Sequence, residues 1–175
     1  MPNAELLSFL LATAAKLSGY PEIPVAQLPP VRAVSVDTIA QAICPEQPSG
    51  CTGIAATFET ESYVILIRDS LDLEDTADNS FLVHEFVHVL QWKAHGDAIF
   101  KDCPTTLKTE GEAYRAQNAY LKREGQFLRF GEMLAYTQCA EDTGALFPRD
   151  AMSTPDTGKP TGNPAVTPEM LGPLP

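Results

Sequence analysis

The segment His84-Glu85-Phe86-Val87-His88 gathers the residue types best able to do chemistry in this chain, at a spacing that matters. Four residues of helix advance the backbone about 400°, so two imidazoles project from one face, one turn apart. That arrangement suits two ligands of one tetrahedral zinc ion, and Glu85, next to the first, can reach a water activated there. Zinc lowers the pKa of such a water towards roughly 7, and a neighbouring carboxylate can take its proton as it attacks a carbonyl. The whole chain has three histidines, two of them in this segment. Flanking residues Phe81-Leu82-Val83 and Val89-Leu90-Gln91-Trp92 predict a buried helix, a dry setting that holds ligands still. The competing reading is two ordinary core histidines that match by chance. A helix-compatible run, no internal proline and carboxylates downstream weigh against it.

Two histidines do not complete a catalytic zinc site, which needs a third protein ligand and one open position. His95 lies seven residues beyond His88 on the same expected helix. That places it about 10 Å along the axis, too far to share the ion. A downstream carboxylate remains, and Thr109-Glu110-Gly111-Glu112-Ala113-Tyr114-Arg115-Ala116-Gln117 offers two. Glu110 and Glu112 stand about 200° apart around a helix, so one of them faces the metal. The other belongs to a solvated face, with Arg115 or Arg123 as a partner. The Glu110 face also carries Ala113, Tyr114, Gln117 and Leu121, which could pack on the metal helix; the Glu112 face is mixed. Periodicity alone favours Glu110 only mildly.

His84 to Trp92, followed about twenty residues later by Glu110-Gly111-Glu112-Ala113-Tyr114-Arg115-Ala116-Gln117, resembles the gluzincin metallopeptidases, particularly the small bacterial minigluzincins. The likeness covers about residues 63 to 120. It implies an α+β, zincin-like fold: a small sheet or hairpin packed on the HExxH helix and on a glutamate-bearing helix. It also implies zinc as cofactor, His84, His88 and Glu110 as ligands, Glu85 as general base, and a peptide or protein as substrate. By the same likeness, the strand from Tyr63 to Ile67 would offer a sheet edge to an extended substrate, beside an equal reading as plain core or sheet packing. One departure is Tyr114, which stands where a subgroup carries an aspartate; it becomes a candidate to touch a ligand or the reacting carbonyl, beside a plain packing role.

The elements that must position these residues follow from local pattern. A first helix is expected from about Asn3 to Ser18, closed by Gly19, then a proline-broken connector from Pro21 to Pro30. Residues 31–36 alternate as a strand, and Asp37 is placed to cap a short helix reaching about Ile43. Residues 53–58 and 63–68 read as a hairpin across Glu59-Thr60-Glu61-Ser62. An acidic loop from Asp69 to Asp78 leads to the metal helix, with Asp78 or Ser80 as its cap and Gly96 beyond its end. A second long helix is expected from about Thr106 to Glu124 and a third from Gln126 to Glu141. Residues 1–147 form one domain in this reading. From Pro148 the chain is rich in Pro, Gly, Thr and Ser, a composition of disorder unless an assembly partner holds it.

A chain of 175 residues can bury a real core in one domain. Its formal charge of −11 and lack of any basic cluster argue against nucleic acid and anionic membranes. No apolar run approaches the roughly 20 residues a bilayer span needs. The run from Leu6 to Ala12 follows Glu5 rather than a basic residue, so it reads as helix rather than as a leader. Cys44 and Cys51 flank a short loop and favour one disulfide, leaving Cys103 for Cys139; free thiols are the alternative. Bridges would fit a secreted, periplasmic or virion-associated protein. A zinc-dependent peptidase is thus the leading expectation. The alternatives are a structural or interaction subunit of a larger assembly, such as a virus particle, and an amidase of cell-wall peptides.

Overall fold

A computed structural model describes residues 2–139. The expected tail from Pro148 lies outside them, and so does the last part of the expected third helix.

Helix α1, Ala4–Ser18, opens where the Asn3 side chain accepts from the Leu6 amide (2.7 Å) and closes at Gly19, whose φ of 82° suits a left-handed cap. It buries Leu10, Leu11 and Ala14 against the long helices α3, Thr76–His95, and α4, Cys103–Arg123. Strands β1, Val31–Val34, β2, Ala56–Glu59, and β3, Val64–Arg68, form one sheet in the order β1-β3-β2. The expected hairpin is present as antiparallel β2 and β3; β1 runs parallel to β3. Four helices and this sheet make the fold α+β, as expected.

β3 is the central strand. Its continuous apolar run is explained by burial on both faces. Ile65 and Ile67 enter the main core with Phe81, Val83, Phe86 and Val87 of α3, whereas Val64 and Leu66 meet Ile39, Ala40, Cys51 and Ile54 on the other face. Because β1 and β2 occupy both its edges, the expectation that residues 63–67 offer an edge to a substrate strand is wrong. A two-sided hydrophobic strand belongs inside a sheet, and its composition carried that signal.

Several boundaries also differ. The short helix α2, Val36–Ile43, is capped by Ser35, which accepts from the Thr38 amide, rather than by Asp37. α3 begins two residues before the earlier of its two expected caps. Asp75 accepts from the amides of Ala77 (2.7 Å) and Asp78 (3.2 Å), while Asp78 accepts from the Asp72 amide and Ser80 donates to the Ala77 carbonyl. α4 likewise starts earlier, because Asp102 accepts from the Thr105 amide and Pro104 is tolerated in the first turn.

The expected third helix does not form within the described residues. After Gly125, Asn118 of α4 accepts from the Phe130 amide and donates to the Phe130 carbonyl, both at 2.9 Å. Those bonds pin an extended segment back along α4, and a short 3₁₀ turn, Glu132–Tyr136, follows Gly131. Disulfides join Cys44 to Cys51 and Cys103 to Cys139, the favoured pairing. Two disulfides fit an extracellular setting. Among the described residues no helix is long and apolar enough to cross a membrane.

Candidate metal centre

α3 is buried continuously from Asn79 to Gln91, flanked by the sheet, α1 and α4. A helix enclosed on all sides can place polar groups in a dry interior only where a neighbour satisfies them. On α3 these are His84, Glu85 and His88; on α4 the facing group is Glu110. The imidazole Nε2 atoms of His84 and His88 lie 3.0 Å apart, and each lies 3.3 Å from an oxygen of the Glu110 carboxylate. Three donors bound at about 2.1 Å to one tetrahedral cation stand roughly 3.4 Å from one another. The three side chains therefore have the spacing of one ligand set, and they could hold a metal ion.

The hydrogen bonds behind the histidines decide what their inner nitrogens offer. His88 Nδ1 lies 2.8 Å from Gln91 Oε1. The Gln91 amide cannot be turned round, because its Nε2 donates to the Thr109 carbonyl (3.0 Å) and to the Glu112 carboxylate (3.1 Å), both pure acceptors. Gln91 thus accepts from His88 Nδ1–H. His84 repeats the pattern: Nδ1 lies 3.2 Å from Gln117 Oε1, Gln117 Nε2 donates to Ser80 Oγ (3.0 Å), and the Ser80 hydroxyl donates onward to the Ala77 carbonyl (2.6 Å). With a proton held on the outer nitrogen, each imidazole in its neutral form presents its Nε2 lone pair to the cluster. Neutral rings and a carboxylate converging in a dry site favour something positive between them, a proton on one Nε2 or a metal ion.

The acid–base properties agree. Burial pushes the His84 imidazole below its ordinary pKa. Burial would lower His88 too, but the Glu110 carboxylate outweighs it and the net shift is upward. Burial would raise Glu110, yet the two imidazoles hold it below the usual carboxylate range. The pocket is built to keep a carboxylate charged and to attract one positive charge, a proton at His88 or a metal ion.

Glu85 is completely buried, and its charge bears on both His88 and Tyr114. Tyr114 lies with its ring 4.4 Å from that of His84, and its hydroxyl is buried with no hydrogen-bond partner among the described residues. Burial first, then the charges of Glu110 and Glu85, push its phenol above the ordinary value. It stays a neutral donor aimed into a region of negative charge. Gly131 presses on this ring: a Cβ there would lie 2.3 Å from it.

Of the expected site residues, His84, His88 and Glu110 come together, Tyr114 packs against His84, and Glu85 is buried where its charge reaches His88 and Tyr114. Glu112 does not join His84, His88 and Glu110: it accepts from Tyr20 (2.9 Å) and Gln91 rather than pairing with Arg115 or Arg123. His95 ends α3 beside Tyr20, outside the cluster. Sequence reasoning missed Gln91, Gln117 and Ser80 as supports. Their signal was a polar side chain one turn from a ligand, or on the Glu110 face, inside an apolar run.

No curated protein and no solved structure matches this chain. One family does match, over residues 4–142, and it spans every helix and strand that builds the cluster. By that match the chain belongs to the DUF6647 family, a domain of unknown function.

Proposed function

We propose that this protein is a zinc-dependent hydrolase of peptide bonds, with His84, His88 and Glu110 as zinc ligands. The observation that carries the reading is the convergence of His84 Nε2, His88 Nε2 and the Glu110 carboxylate at the spacing of one ligand set, each imidazole backed on its outer nitrogen by a glutamine. Two imidazoles and a carboxylate are a donor set that suits zinc. When bound, zinc would act as a Lewis acid on the carbonyl and make water acidic enough to lose a proton near neutral pH.

The chain's own groups would do the rest. Glu85, next to the first ligand, would take the proton from the attacking water and return it to the leaving amine. Tyr114, held neutral, would donate to the oxygen that gains charge as the carbonyl is attacked. The gluzincin-like motif supports peptide over other acyl substrates, and the paired disulfides favour action outside the reducing cytosol.

The test is metal analysis of the purified protein with a broad peptide-cleavage screen, for wild type and for Glu85→Gln. One zinc per chain and cleavage by wild type are expected. Glu85→Gln should keep zinc and lose about 10²–10⁴ in turnover. Stoichiometric zinc without cleavage of any peptide would leave a structural or interaction role for the site.

A further inference from the structure

Along α4, on the side of Tyr114 and Gly111, runs a groove of about 460 Å³. Its second wall is the segment that Asn118 pins back after α4. Arg115 and Arg129 both line it, and neither has an ion-pair partner among the described residues. One carboxylate, Glu132, lines it as well, so the groove carries more positive than negative charge in a chain of net charge −11.

The floor is unusual for a helix. Gly111 sits in the interior of α4, where glycine is a destabilising choice, directly after the ligand Glu110. No positive φ requires it. A Cβ at this position would meet the Arg115 guanidinium at 3.7 Å. That is ordinary van der Waals distance, so the Arg115 guanidinium lies close over the helix backbone at Gly111, on the groove's lining. Tyr114, which touches His84, also lines the groove, so a molecule lying there would sit next to the metal centre.

We propose that this groove is a subsite for a carboxylate group of a peptide, held by Arg115 and Arg129. A guanidinium presents a planar fork that matches a carboxylate, and two of them facing one groove with no carboxylate of the described residues paired to them leave that capacity for a ligand. The carboxylate can be an acidic side chain or a free chain end. The proposal rests on the hydrolase reading in treating the bound peptide as substrate, but binding can be measured without turnover.

The experiment uses the full chain loaded with zinc, in a Glu85→Gln background, and three labelled alanine-based hexapeptides. One has a central Glu and both ends blocked; one has Gln there and blocked ends; one has Gln and a free C-terminus. Fluorescence anisotropy should show the Glu peptide, the free-end peptide, or both, binding about tenfold tighter than the blocked Gln peptide. Which of the two gains identifies the source of the carboxylate. The gain should shrink in high salt, and Arg115→Gln with Arg129→Gln should remove it while zinc content and blocked-Gln affinity stay unchanged.

Equal binding of the three peptides, no binding of any, or a carboxylate preference that survives loss of both arginines would overturn the proposal. Absence of cleavage by the wild-type protein in the separate screen would count against the hydrolase reading alone.

Discussion

Two parts of this fold solve the problem of holding together in opposite ways. Around α2, Ile39, Ala40, Ile54, Val64 and Leu66 close a small apolar cluster sealed by the Cys44–Cys51 bridge, and Arg68 ties the loop by donating to the Ile54 carbonyl. Nothing there requires a ligand. Between α3 and α4 the interior is polar instead: apart from Thr13 and Thr57, every buried polar or charged side chain described lies on one of these two helices. Buried polar groups cost free energy unless satisfied, and a partly satisfied network is worse than an apolar core. The α2 corner is therefore structure for its own sake. The α3–α4 seam gathers a group, His84, His88 and Glu110, that could hold a metal ion.

The strongest way to break that contrast is to remove Glu110. Glu110→Ala should abolish stoichiometric zinc binding at neutral pH, measured by atomic absorption after dialysis. With it should go the stabilisation that metal supplies, about 4 kcal/mol when free zinc is a thousandfold above its Kd. Glu112→Ala removes an acceptor from Gln91 but no ligand, so it should keep zinc with affinity lowered about 10–100-fold. If the Glu112 variant is the one that emerges metal-free, the ligand assignment is wrong. A chelator should destabilise wild type and leave Glu110→Ala unchanged.

The next test strikes the other region. Replacing Cys44 and Cys51 by serine opens a loop with a sequence separation of 7. The chain-entropy argument gives a loss of about 2.5 kcal/mol for a loop of this size. Calorimetry should record a melting temperature lower by roughly 5–10 °C. Zinc stoichiometry and affinity should not move, since the α2 cluster shares no residue with the seam. Loss of zinc in this variant would mean that the two regions are coupled and that the contrast is false.

How much of this was legible beforehand follows the same division. Where a pattern is local, the residues told it: the HExxH helix, the Asn3 and Gly19 ends of α1, the β2–β3 hairpin and the Cys44–Cys51 bridge, which left Cys103 for Cys139. Where long-range partners decide, they did not. Nothing in residues 31–36 says that β1 pairs parallel with β3; only the unbroken apolar run of β3 spoke against the edge role given to Tyr63–Ile67. The helix expected over residues 126–141 failed because Asn118, a residue of the preceding helix, captures the Phe130 backbone; no periodicity within the segment could announce that. The site divides likewise. His84, His88 and Glu110, the group that could hold a metal ion, share two helices and could be brought together by spacing, with the gluzincin likeness choosing between Glu110 and Glu112. The relays behind them join α3 to α4 and to the connector after α1, through pairs as distant as Tyr20 and Glu112.

The subtlest expected effect lies at the outer end of one relay. Tyr20 donates to Glu112, which accepts from Gln91, which accepts from His88. Tyr20→Phe deletes one partly buried bond to a carboxylate and leaves the ligands untouched. It should cost about 1 kcal/mol in stability and change zinc affinity by less than the roughly tenfold expected for a direct supporting partner. The alkaline limb carries the sharper signature. Burial, then the hydrogen bond to Glu112 and its charge, raise the Tyr20 phenol from 10.0 to about 12. Between those values the folded state holds a proton that the unfolded chain has lost. Stability contributed by Tyr20 is thus full below pH 10 and declines as pH rises through 12. Denaturant melts of wild type and Tyr20→Phe should differ most near pH 8 and converge as pH climbs past 10. A constant gap across that range would mean that the phenol is not bonded to Glu112 in solution, and that Gln91 is held by Thr109 and Glu112 without help from the connector.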